Sequence, residues 1–364
     1  MHIPDGYLSP TTCVVAYAVV APFWVVAFRR VKRLLHTRLV PLLAVVSAFC
    51  FVVMMFNLPL PGGTTGHAVG MGIASIVLGP WASIVAISIA LLIQAVFFGD
   101  GGITTFGANC LNMAVVGSLV AYWTYVLLAG RSALDSPRRV VAAALAGYIA
   151  INVAAFFAAV EFGIQPLLFH DAAGAPLYAP YPLSIAIPAM LGGHLTFAGL
   201  AELVISGGLV AYLQRANPEL LRFTAQGVAA TTASVPVLAS ANPWKATRWL
   251  WLGLAGLMIL SPLGLLAAGI AWGEWGVDDL QDPAVREQIL HASGNVPPPA
   301  MVPHGLERLS HLWSAPFPDY APSFLNENFG YILSAIMGAG LILLVFLLIS
   351  ALVSRRHATE PSAR

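Results

Sequence analysis

A histidine at the second position makes the start of this chain, MHIPDGYLSP, a candidate chelator. The Met1 amine, the His2 backbone nitrogen and the His2 imidazole can all reach one ion. Amine and amide close a five-membered ring around a metal, and amide and imidazole close a six-membered one. Nitrogen donors arranged in a plane suit Ni(II) or Cu(II). His2 is too bulky for routine removal of the initiator, so Met1 is expected to keep its amine. Such a site lacks one nitrogen, which another part of the chain must deliver.

The elements that deliver it must fold in lipid. Of 364 residues, 59% are hydrophobic and only 9% charged, and a chain of that kind satisfies its backbone within helices. The fold class expected is an all-α integral membrane protein. Apolar runs able to cross roughly 30 Å of hydrocarbon can be laid out as nine spans, near 11–28, 39–57, 67–79, 80–98, 105–129, 139–161, 183–213, 248–272 and 328–353. The short third run meets the fourth at Gly79-Pro80, which also allows a broken or re-entrant pair. The seventh is interrupted by Pro188 and Gly192-Gly193. No basic n-region opens the chain, and Pro4 and Asp5 precede the first apolar run, so no signal peptide is expected. Cys13, Cys50 and Cys110 lie in or beside apolar runs, which argues against a disulfide framework.

Charge sets the expected direction. With the N-terminus outside and the C-terminus cytoplasmic, all of the 17 basic residues except Arg286 and Arg308 fall inside, as the positive-inside rule asks. The second span then emerges outside at Asn57, before a Gly- and Pro-rich loop that ends in Thr64-Thr65-Gly66-His67. His67 lies on the same side as Met1 and His2, and its neutral imidazole can close the square. Singly, each histidine reads more readily as an interfacial or solvated residue; together, that reading and a metal site made by Met1, His2 and His67 stand level.

Segment 214–247, rich in Ala, Thr, Ser and Val with Pro218, Pro236 and Pro243, reads as a cytoplasmic linker. It divides a seven-helix part, 1–213, from a two-helix part, 248–364. The long external loop of the second part is acidic and Pro-rich and carries His291, His304 and His311. It reads as a solvated spacer or as a means of concentrating divalent cations.

The stretches MHIPDGYLSP, GGTTGHAVGMG, GDGGITTFGANCLNMAVVG and GGHLTFAGLAELVISG, in this order over residues 1 to about 213, resemble the nickel and cobalt substrate-specific components of energy-coupling factor transporters. The resemblance implies that Met1, His2 and His67 bind Ni(II) or Co(II). It also implies two partners, a transmembrane coupling protein and a cytoplasmic ATPase, and a multi-pass location in the bacterial cell membrane. Residues 248–364 look like the family's two-helix companion, here fused. Pro303-His304-Gly305-Leu306-Glu307 is similar to its Pro-Asp-Gly-Leu-Glu pattern, with His304 in place of the Asp. That companion's external loop is implied to contact the metal-binding face.

Other residues are candidates for support. Asp5, Thr65, Asn109, Asn112 and His194 are candidates to hold the site from behind, with interhelical hydrogen bonding the equal alternative for the two asparagines. His194 and Glu202, about two helical turns apart, read as a packing network. Ala44 and Ala48 form a small-xxx-small pattern, which in the family's wider group docks the coupling protein. No HExxH, GxSxG or Walker A motif is present, so neither metalloprotease, α/β-hydrolase nor ATPase chemistry is expected. Nothing basic enough to bind nucleic acid is present. The reading is high-affinity capture of Ni(II), with Co(II) as competitor and no cofactor beyond the ion. The alternatives are a secondary divalent-metal transporter without an ATPase, and an intramembrane metalloenzyme.

Overall fold

A computed structural model describes residues 1–35, 40–225, 247–322 and 324–358. Most of the linker (226–246) lies outside these, as do Arg38, Lys245 and Arg364 among the basic residues used for orientation. Seven described helices are long and apolar enough to cross a membrane: Pro10–Lys32, Pro80–Phe98, Phe106–Ala129, Pro137–Leu168, Leu183–Ala216, Arg248–Leu266 and Glu327–Leu352. Helix α1 (Pro10–Leu35) starts with Pro at a position where its missing N–H costs nothing. It exposes Val14 and Val15 outward, as a lipid-facing helix does. Helix α2 (Val40–Met54) is shorter and almost wholly enclosed by the others.

The expected third span is not a crossing helix. Residues 67–70 are irregular, and helix α3 (Met71–Leu78) has 8 residues, about 12 Å at 1.5 Å per residue. Gly79, with φ 76°, turns the chain, and Pro80 starts helix α4 (Pro80–Ile93). Every residue of α3 is buried, so this short helix is held by protein on all sides. The seventh span, by contrast, runs unbroken over Leu183–Ala216 despite Pro188.

The fold is all-α, with two local departures from regular helix. A hairpin of β1 (Leu58–Leu60) and β2 (Thr64–Gly66) interrupts the all-helical fold, pairing Pro59 with Thr65. Its turn uses Gly62 and Gly63 at φ 83° and 80°, a region that favours glycine. Three wide i→i+5 turns also sit within the spans, at Gln94–Phe98, Cys110–Val116 and His194–Ala198. Such turns mark functional sites more often than ordinary helix does.

The second part of the chain is packed into the first. Its last helix, Glu327–Ala358, lies against α2, where Gly338 receives the Phe51 ring. Ala44 and Ala48 are fully buried inside the chain. Around them pack other helices of this chain, which a coupling protein docking on this pattern would have to reach past. The long loop of the second part is no solvated spacer. It folds into helices Val277–Gln281, Pro283–Ala292 and His304–Leu309 and buries Trp272, Trp275, Ile289 and Leu306.

Candidate metal centre

The first residues are held as an irregular strand by the loop before the Phe106–Ala129 span. Asn109 accepts the Ile3 N–H on Oδ1 at 2.8 Å and donates from Nδ2 to the Ile3 carbonyl at 3.1 Å. The same carbonyl accepts the Gly102 N–H at 3.0 Å and the Thr105 hydroxyl. Asp5 accepts the N–H groups of Ile103 and Thr104 at 3.0 and 2.8 Å, and the Thr104 hydroxyl as well. Gly102 is required here: a Cβ would lie 2.5 Å from the Asp5 nitrogen.

His67 follows directly on β2, and the chain after it is fixed by a distant carboxylate. Glu202 accepts the N–H groups of Val69 and Gly70 on Oε2, at 2.9 and 2.8 Å, and that of Gly72 on Oε1 at 3.0 Å. Its oxygens also face the amino end of α3, where a helix leaves N–H groups unpaired. Sequence reading assigned Glu202 to helix packing; its larger effect is to hold the loop that carries His67.

These two supports bring Met1, His2 and His67 together. All three are buried, and the two imidazole centroids are 5.0 Å apart with planes 33° from parallel. His67 Nδ1 lies 3.1 Å from the Ala68 carbonyl. A proton on Nδ1 directed there leaves the Nε2 lone pair free. That Nε2 has no hydrogen-bond partner, and neither does either ring nitrogen of His2. Asp100 Oδ1 is 2.9 Å from His2 Nδ1, close enough for an ion pair but without hydrogen-bond alignment. Burial, followed by the charges of His2 and the amine, pulls His67 down to about 3, so its ring is neutral at ordinary pH.

Two acidic residues that sequence reading had not assigned to the site complete it. Glu274, from the second part of the chain, pairs with the Met1 amine at 2.8 Å. Asp100 is held by Tyr320, whose hydroxyl donates to Oδ2 at 2.5 Å, and by Gln94 at 3.2 Å. Burial opposes ionisation of Asp100, but the adjacent His2 ring holds its carboxyl below the ordinary carboxylate range. Asp100 stood inside a quoted motif, GDGG. Glu274 lies in Trp272-Gly273-Glu274-Trp275, where the flanking aromatic pair was the available signal.

The remaining candidates divide. Thr65 is buried beside His67 and forms a parallel bridge with Ala271. His194 is buried, with Nδ1 2.8 Å from the Met190 carbonyl and Nε2 without a partner. Asn112 is bonded elsewhere, donating to Glu161 Oε2 at 2.6 Å. His291, His304 and His311 are exposed. The Gly305 backbone packs against Leu177 and Tyr178, and that of Leu306 lies beside Gly6.

Known proteins share this arrangement of sequence. The chain is 59% identical to the fused nickel transport protein NikMN of Rhodobacter capsulatus over 94% of this chain and 95% of that one. It is 42% identical to the probable fused nickel transport protein LarMN of Lactiplantibacillus plantarum, over 100% and 99%. A crystal structure of a truncated transition metal transporter, 49% identical, superposes with a TM-score of 0.55 over 58% of this chain and 98% of that one. Residues 246–355 match the PDGLE domain. Residues 2–220 match the cobalt uptake substrate-specific transmembrane region, so the chain is a multi-pass membrane transport protein and belongs to the CbiM family.

Proposed function

We propose that this protein captures Ni(II) as the substrate-binding subunit of an energy-coupling factor importer. The ion would be held by the Met1 amine, the His2 amide nitrogen, His2 Nδ1 and His67 Nε2. The observation that carries this reading is the burial of Met1, His2 and His67 together, with the Nε2 atoms of both rings unpartnered among the described residues. A buried imidazole nitrogen without a partner is costly unless something binds it. Four nitrogens in a plane favour a d⁸ ion, although Co(II) competes for the same donors.

The wider reading follows from family and charge. The site faces outside, where the positive-inside rule puts the N-terminus. A transmembrane coupling protein and a cytoplasmic ATPase supply the energy, since this sequence has no Walker A motif. Residues 1–213 form the metal-binding part, 214–247 a cytoplasmic linker and 248–364 the fused companion. A secondary transporter would work without an ATPase, so co-purification with one separates the two readings. A metalloenzyme needs an open coordination position, which a closed planar nickel spectrum argues against.

Extending the chain by one residue before Met1 tests the proposal. Every side chain remains, but the amine is displaced. High-affinity Ni(II) binding should be lost, by about 100-fold or more in Kd, equivalent to roughly 2.8 kcal/mol. Unchanged binding would remove the amine from the ligand set.

A further inference from the structure

The nitrogen donors lie under cover, with Met1, His2 and His67 each 5% exposed or less, so a dissolved ion needs a route to them. A cavity of about 480 Å³ opens between the two parts of the chain and reaches His67. Asp100 lines it from the first part, and Glu274, Asp319 and Glu327 from the second, with no Lys or Arg among the described residues of its wall. One buried group on this wall points to a cation: the His67 Nε2 has no partner among the described residues. Deeper in, one ring nitrogen of His2 and one oxygen each of Asp100 and Glu274 lie within 4.8 Å of one another. Donors about 2.0–2.2 Å from an ion lie up to about 4.4 Å apart, so these side chains need close by only a few tenths of an ångström.

We infer that this cavity is a vestibule with a transient cation site of its own, distinct in its oxygen ligands from the nitrogen site beneath it. A hydrated first-row divalent ion is drawn in by Asp319 and Glu327 at the mouth. It is then held by Glu274, Asp100 and a His2 ring nitrogen, and passed to the four nitrogens. At each exchange one nitrogen replaces one water or carboxylate oxygen, so coordination is never lost. The protons that the Met1 ammonium and the His2 amide give up pass to the departing carboxylate or to water. Glu274 belongs to both stages, because it leaves the Met1 amine when it takes the ion. The inference rests on the nitrogen-site reading above.

Stopped-flow loading of the full chain with Ni(II) alone, at low and high salt, tests the mouth. Asp319→Asn with Glu327→Gln should slow association at least about 10-fold at low salt, within the range of electrostatic steering. Its salt dependence should flatten while the final nickel spectrum and the dissociation rate stay as in the unmodified protein. Equal loading rates with equal salt dependence would overturn the vestibule and leave the nitrogen site standing. Failure of the unmodified chain to take up nickel would overturn both. The inner site is read with Mn(II), which prefers oxygen donors. A His67→Ala chain should still bind it weakly by electron paramagnetic resonance, and adding Glu274→Gln and Asp100→Asn should abolish that binding. Mn(II) binding indifferent to those two changes would sink the transient site.

Discussion

Asn109 grips Ile3 from both sides, one amide group satisfying both the N–H and the carbonyl of a single buried residue. That clasp lies one residue beyond the proposed chelate, so it sets where His2 and the terminal amine can be. Asn109→Ala leaves the Ile3 N–H unpaired, at about 1–3 kcal/mol for a buried group. The expected result is Ni(II) binding about 10- to 100-fold weaker by calorimetry, in a protein that still purifies as a folded monodisperse species. Unaltered affinity would mean that Gly102 and Thr105 suffice.

Glu202 governs the other arm. Its carboxylate accepts three backbone N–H groups and the Ser206 hydroxyl. Glu202→Gln replaces one accepting oxygen with a donor aimed at an N–H. A loss of about 1.5–3 kcal/mol is expected, the magnitude of a charge-assisted hydrogen bond, with faster nickel dissociation. Thermal unfolding and metal off-rates check this, and a variant with normal off-rates would free His67 from dependence on Glu202.

Acid should act on the two processes differently. Because burial lowers His67 from 6.5 to about 3, the unfolded chain takes up a proton there below about 6.5 that the folded chain refuses. His67 therefore lowers stability progressively as pH falls from about 6.5 towards 3, and contributes no slope above that window. His67→Gln should flatten that part of the acid-denaturation curve. In nickel binding near pH 7, His67 has no proton to release. Calorimetry in buffers of different ionisation enthalpy should give the same proton count for the unmodified chain and the variant, where the variant still binds.

Gly6 joins the amino terminus to the PDGLE domain. It has φ 88°, and a Cβ there would lie 2.6 Å from the Leu306 Cα. Gly6→Ala thus adds a left-handed strain of about 1 kcal/mol or more to a clash between two backbones. The loop over 273–327 should become more open to proteolysis, and nickel affinity should fall with it. A protease-resistant loop in this variant would show that the two segments part without consequence.

Tyr320 reaches across the same boundary to Asp100. Tyr320→Phe keeps the ring stacked on Phe98, whose centroid is 4.8 Å away, and removes only the hydroxyl. The hydroxyl also accepts from Gln94 Nε2 at 2.8 Å; a several-fold loss in nickel affinity is expected, equivalent to about 0.5–1.5 kcal/mol for the bond to Asp100. The test compares titrations of the two proteins at one pH, and equal curves would count against a role for Tyr320.

Much of this was legible in the residues themselves. The proposed chelate of Met1 and His2 could be read from covalent chemistry, since the rings it would close depend on bonds and not on folding. Lipid as the solvent follows from composition, and the apolar runs predicted most helices because hydrocarbon sets their length. The glycines of GGTTGH and GDGG were visible as places for tight backbone, although what they approached was not. Tertiary structure alone decided that residues 67–79 do not cross, because a buried short helix and a spanning one are equally apolar. It alone turned Ala44 and Ala48 inward, and brought Glu274 and Tyr320, more than two hundred residues away in sequence, onto the amine and Asp100. Apolar periodicity records which faces avoid water, whereas the partner of a buried charge is fixed only when the chain has packed.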